Sequence, residues 1–235
     1  MGGKETFTKE QLKRRIGRFR RLEVLMPEFL KPHKGGAGME RHLDTSAGRI
    51  RVLAYRMEDR RALPLFINIH GGGFVFANAD MDDPFMPGLA READAKIISI
   101  DYSLAPEHPF PVAVEECYPV AQYAREHAAE LGIDPERIAM GGHSAGDNFA
   151  TEKLDAFPPV LMITASRDFL CAEGKRFRDR LIQVGVEVAH RRFEAGHGFN
   201  LRKGAASIVV CQRADRAWAD RDGLDGACVS ACPML

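Results

Sequence analysis

A surplus of charge of either sign is missing from this chain. Its 235 residues hold 33 Lys and Arg against 33 Asp and Glu, and the isoelectric point is near 7.1. A balanced chain has no global attraction to nucleic acid or to an anionic membrane surface. Long apolar runs are missing too. No stretch is long enough to span a bilayer, and no signal-peptide hydrophobic segment stands near the start. The five cysteines are an odd number without disulfide-framework spacing. Together these absences predict a reduced, cytoplasmic protein. Cys228 and Cys232 form a C-x-x-x-C pair, but no nearby His or Cys pair completes a tetrahedral site. Neither a metal nor a cofactor is expected. Repeats and low-complexity tracts are absent.

What is present suits one sizeable domain, since 45% of the residues are hydrophobic. Residues 8–26 read as an amphipathic helix that opens on a Thr8/Gln11 capping box and turns a basic face outward. A glycine-rich loop follows at 31–38. Strands are expected at Ile50–Tyr55, Leu65–Ile69, Ile97–Ile100, Arg137–Gly141, Pro159–Thr164 and Val186–Arg191. Helices are expected at 83–92, 112–131 with Pro119 as a kink, 145–155, 173–184 and 204–219. Near-continuous apolar strands alternating with helices imply a buried, mostly parallel sheet flanked by helices, an α/β fold. The expected organisation is a lid helix and linker over 1–38, a core over 39–222 and a tail over 223–235.

Two glycine-bearing motifs carry the chemistry. Gly142-His143-Ser144-Ala145-Gly146 has the G-x-S-x-G form of a nucleophile elbow, preceded by a strand as that motif requires. His70-Gly71-Gly72-Gly73-Phe74 follows a buried strand, and three consecutive glycines let backbone N–H groups approach a ligand closely. A serine hydroxyl needs a base to take its proton and a carboxylate to orient that base. Asp168 and His197 follow in that order, each after an expected strand. His143 is expected to point away from the cleft, because the elbow presents Ser144 alone. His190, within a strand, is expected to be structural.

These residues resemble the hormone-sensitive-lipase-like branch of the α/β-hydrolases, a group of carboxylesterases. The likeness lies in His70–Phe74, Asp101–Pro111, Gly142–Gly146, Pro158–Asp168 and His197–Phe199. It implies the α/β-hydrolase fold, with Ser144 as nucleophile, Asp168 as acid and His197 as base. The implied oxyanion donors are the backbone N–H groups of Gly72, Gly73 and Ala145. Asp101–Pro111 is implied to be scaffold, and the N-terminal helix part of a lid over the acyl pocket.

The spacing departs from that pattern. A helix, a further central strand and cap elements need roughly 35 residues between nucleophile and acid, and here the step from 144 to 168 is 24 residues. One central strand and much of the cap are therefore expected to be missing. Closing that gap would shift acid and base about 4.8 Å toward Ser144. Three functions stay open on the sequence: a serine carboxylesterase for small or short-acyl esters, an impaired hydrolase fold that binds ligands, and an amidase or formamidase on the same residues. The partner is a small-molecule ester, without nucleic acid or stable membrane insertion; a homo-oligomer is compatible with all three.

Overall fold

The computed structural model describes residues 8–21, 36–148, 159–199 and 211–212. In chain order the described elements are α1 (Lys9–Arg21), β1 (Met39–Thr45), β2 (Gly48–Tyr55), β3 (Leu63–Ile69), α2 (Met86–Glu92), β4 (Lys96–Ile100), α3 (Val112–Glu126), α4 (Ala128–Leu131), β5 (Ile133–Gly142), β6 (Val160–Arg167), α5 (Cys171–Gln183), β7 (Val188–Gly196) and β8 (Cys211–Gln212).

The strands form two sheets. Five run in the order β1-β2-β4-β3-β5 and three in the order β7-β6-β8. β3 pairs in parallel with both β4 and β5, and β6 with β7, while β1, β2 and β8 pair antiparallel. The two parallel strands at the centre of the larger sheet are the most buried. β4 is buried along its whole length, and β3 all but one residue. The main core lies between the sheet and α3, where Val52, Ile67, Ile98 and Ile100 meet Cys117, Val120 and Ala124. A smaller cluster under α5 joins Val160, Leu181 and Val186.

Several elements differ from the sequence expectation. The edge strand β1 has no sequence counterpart, because MERHLDT is largely exposed and lacks strand alternation. The helix expected at 83–92 starts only at Met86. Pro87 fits its first turn, and Asp82 and Asp83 belong to the preceding loop. Pro119 does not break α3; the break comes at His127, and Gly132 ends α4 in the left-handed conformation at φ 62°. Behind Ser144 the described backbone is a 3-10 turn, Ser144–Asn148, and the rest of the expected 145–155 helix lies outside the described residues. The helix expected at 204–219 is corrected at its one described point, since Cys211 and Gln212 are strand.

That strand bears on the spacing anomaly. β5 and β6 are not hydrogen-bonded neighbours. β8 pairs with the start of β6, Gln212 opposite Val160 and Cys211 opposite Leu161, and also runs within 8 Å of β5. β5 and β6 therefore do not close onto one another, and β8 neighbours both. Of the helix expected to form a lid, Lys9–Arg21 is described; residues 22–35, including the rest of the expected helix, lie outside the described set, as does the expected tail at 223–235 with Cys228 and Cys232. The capping box forms, Gln11 N–H donating to Thr8 Oγ1 at 3.2 Å and Thr8 N–H to Gln11 Oε1 at 2.9 Å.

Candidate active site

β5 delivers Ser144 through a turn that only small flanking residues allow. Ser144 sits at φ 56°, a left-handed conformation unusual for a non-glycine residue. A Cβ on Gly142 or on Gly146 would run into the carbonyl oxygen of Ile69, so β3 and the elbow fit together only with glycine at both places. The turn is closed by Gly146 N–H donating to His143 O at 3.0 Å.

The second sheet delivers the other two groups. β6 ends at Arg167, and the carboxylate of Asp168 is nearly buried, with 6% of its side chain exposed. Leu170 N–H donates to Asp168 Oδ1 at 2.8 Å and fixes its orientation. His197 follows the end of β7, and its Nδ1 lies 3.0 Å from each carboxylate oxygen of Asp168. A carboxylate against Nδ1 places the proton there, which leaves Nε2 as an acceptor. Nε2 lies 3.1 Å from Ser144 Oγ. The expected displacement of acid and base by one strand spacing is therefore not found. Its premise was that β6 closes onto β5, and β6 does not.

The His70–Phe74 segment lies beside this chain of hydrogen bonds. Gly72 and Gly73 have φ of 118° and 63°, and the N–H groups of Val75 and Phe76 both donate to Gly72 O. A Cβ on Gly72 would collide with the carbonyl of Phe76. The N–H groups of Gly72, Gly73 and Ala145 make no hydrogen bond among the described residues. His70 is wholly buried, and burial holds its pKa below the ordinary histidine value. Its Nδ1–H donates to Gly71 O, and its ring stacks on Tyr102 at 4.1 Å between centroids. Tyr102 Oη in turn donates to His70 O at 2.9 Å. His70 is thus a brace for the loop.

The Asp101–Pro111 segment is scaffold. Asp101 pairs with Arg51 at 2.9 Å and accepts from Ala79 N–H, and Glu116 accepts from Ser103 N–H and Oγ–H. Arg20 of α1 donates to Val75 O at 2.7 Å and Ala105 O at 2.8 Å, and pairs with Glu107 at 3.0 Å. Among the described residues, no group of three His, Cys, Asp or Glu side chains is arranged to hold a metal ion. Sequence reasoning gave no role to Asp82 or Phe169 and read Arg20 only as part of an outward basic face. Only Phe169 had a usable signal, being a large apolar residue next to Asp168.

Residues 66–154 match a family described as having the α/β-hydrolase fold. The fold is that of the α/β-hydrolases. The match takes in both glycine motifs and stops short of Asp168 and His197. Over 105 residues the chain is 45% identical to carboxylic ester hydrolase LipN of Mycobacterium tuberculosis, covering 44% of this chain and 28% of LipN. Over 88 residues it is 49% identical to hormone-sensitive lipase of Bos taurus, covering 37% of this chain and 12% of the lipase. The matched α/β-hydrolase sequence is hormone-sensitive-lipase-like, and it spans less than a third of the length of either relative. Among solved α/β-hydrolases, the carboxylesterase EstE1 from a metagenomic library superposes with a TM-score of 0.65 at 25% identity, covering 83% of this chain and 90% of EstE1. An esterase of Pyrobaculum calidifontis gives 0.65 at 24%, covering 83% and 87%. No helix among the described residues is long and apolar enough to cross a membrane.

Proposed function

We propose that the protein is a serine carboxylesterase that hydrolyses small or short-acyl esters through an acyl-enzyme. The observation that carries this reading is the hydrogen-bonded chain from Ser144 Oγ through His197 to Asp168, at 3.1 and 3.0 Å. Ser144 attacks the ester carbonyl as His197 Nε2 takes its proton. Asp168 holds the imidazole in that tautomer and stabilises the imidazolium. The N–H groups of Gly72, Gly73 and Ala145 donate to the oxyanion. His197 then protonates the leaving alkoxide, and water, activated by the same nitrogen, releases the acid. Chemistry of this kind suits the carboxylesterases and lipases that the chain resembles.

The reading of an impaired, ligand-binding fold rested on acid and base displaced by a strand width, and the short contacts at His197 speak against it. Hydrolysis of p-nitrophenyl butyrate by the wild-type chain and by Ser144→Ala is the test. A loss of about 1,000-fold or more in kcat is expected, with fluorophosphonate labelling abolished in the variant. Equal rates would overturn the assignment. Matched ester and anilide substrates separate the esterase from an amidase, and the ester is expected to be faster.

A further inference from the structure

His143 fills the space between the two glycine motifs. It is buried, and its ring lies against Gly71: a Cβ on that glycine would come within 2.6 Å of His143 Cε1 and 2.8 Å of Nδ1. The other ring nitrogen is tethered, with Nε2 3.0 Å from Asp82 Oδ1. Asp82 is 1% exposed and follows the 3-10 turn Ala79–Met81. Its Oδ2 accepts from Asn68 Nδ2 of β3 at 2.8 Å, and the same amide donates to Ser99 Oγ of β4 at 3.1 Å. The elbow, the oxyanion loop and the two central strands thus converge on one imidazole.

Burial by itself would raise the Asp82 carboxyl, but the facing His143 and the Asn68 amide outweigh it and hold the pKa below the ordinary carboxylate value. Asp82 is therefore an anion, and His143 answers it with an Nε2–H. A buried anion whose donor is removed is strongly destabilised, so the tether fixes the ring's orientation. The ring in turn fixes how close Gly71 can approach Ser144.

We propose that His143 and Asp82 are positioning residues, the tethered imidazole acting as the spacer that sets the Gly72 and Gly73 N–H groups against the carbonyl oxygen attacked by Ser144. The inference rests on the serine-esterase reading for its chemistry. An oxyanion hole works only when its donors meet the oxygen of the transition state at hydrogen-bond length, with a tolerance of about 0.5 Å. The ground-state ester makes weaker use of those donors. A misplaced loop therefore lowers kcat and leaves KM nearly unchanged.

The experiment compares His143→Phe, Asp82→Ala and Asp82→Asn by kcat, KM and affinity for a trifluoromethyl ketone, whose hemiketal carries the oxyanion. His143→Phe keeps an aromatic ring, somewhat larger, and loses the tether; Asp82→Ala keeps the ring and loses the tether; Asp82→Asn keeps an oxygen that accepts from Nε2–H. The first two are expected to lose about 30-fold or more in kcat with KM within about threefold, and to lose ketone affinity by the same factor. Asp82→Asn is expected to recover part of the loss, since its oxygen serves His143 while its Nδ2 faces the Asn68 Nδ2 donor, and the double variant His143→Phe/Asp82→Ala to be no worse than the poorer single. Wild-type kcat in both tether variants would overturn the proposal, as would a kcat loss without loss of ketone affinity. If His143→Phe does not fold, Asp82→Ala decides in its place. Wild-type protein no faster than Ser144→Ala would instead defeat the esterase reading. The spacer is then judged by amide exchange at Gly71–Gly73, where acceleration in the tether variants supports it and unchanged exchange overturns it.

Discussion

Phe169 lays its ring beside the imidazole of His197, with centroids 4.6 Å apart and planes tilted by 36°. The ring is also one of the most exposed apolar groups among the described residues, at 77%. An aromatic side chain beside the imidazole that, on the esterase reading, protonates the leaving group offers a face on which an aryl leaving group stacks. Aromatic pairs contribute about 0.5–1.5 kcal/mol beyond area burial. Phe169→Ala is therefore expected to lower kcat/KM for phenyl butyrate about 3- to 10-fold more than for ethyl butyrate. Equal losses on the two esters would show that the ring only shields His197.

The loop of three glycines makes a sharper prediction. Gly72 combines φ 118° with a position where a Cβ meets the carbonyl of Phe76. Alanine there is strained in backbone and crowded in space, so the loop must move and carry the adjacent N–H donors with it. Gly72→Ala is expected to reduce kcat on p-nitrophenyl butyrate about 100-fold or more. Gly48→Ala serves as the comparison, since it has a similar φ of 110° and open space around it in the β1–β2 turn. A comparable drop in melting temperature with normal kcat is expected for that variant.

Much of this arrangement was legible in the sequence because it is local. The elbow, the triple glycine and the order of Ser144, Asp168 and His197 are read from a few adjacent residues, and buried parallel strands such as β4 announce themselves by unbroken apolar runs. What could not be read depends on partners distant in the chain. Asp82 meets His143 across 61 positions, and Arg20 meets Ala105 across 85. β1 is invisible because an exposed edge strand needs no apolar face. The displacement of acid and base that closure of β6 onto β5 would bring was a conditional reading of the same kind: spacing counts the residues between two strands, but whether they pair depends on the rest of the chain, and here β8, from far along it, neighbours both.

Arg20 ties the basic helix α1 to the loop beyond Phe74. Its guanidinium serves two carbonyls and the Glu107 carboxylate at once, and that carboxylate is held below its ordinary pKa by a backbone N–H and by Arg20. Pairs this exposed are worth at most about 1 kcal/mol each. Arg20→Ala is expected to accelerate amide exchange and proteolysis within residues 9–21 while leaving the melting temperature of the core within a few degrees. Unchanged protection of α1 would show that its apolar face, not Arg20, holds it down.

Stability should fall on mild acidification, and two histidines set the direction. His70 is held below the ordinary histidine pKa by complete burial. His190 is held low by desolvation and then by Arg178, Lys175 and Arg192; Arg178 Nη1–H donates to its Nδ1 at 3.0 Å, and Thr164 Oγ1 lies 2.9 Å from its Nε2. In the unfolded chain each titrates near about 6.5. Below that pH the unfolded state gains protons that the folded state refuses, so stability is full above about pH 6.5 and declines as pH drops toward the folded values. The carboxylates act lower. Asp82, Asp94 and Asp134 have depressed pKa values, so their contribution persists until the pH falls below the ordinary carboxylate range near about 4. Urea midpoints are therefore expected to decrease between pH 7 and pH 5. His190→Asn, whose amide oxygen still accepts from Arg178 and which has no titrating group, is expected to flatten part of that decrease, and an identical slope in the variant would remove His190 from the account.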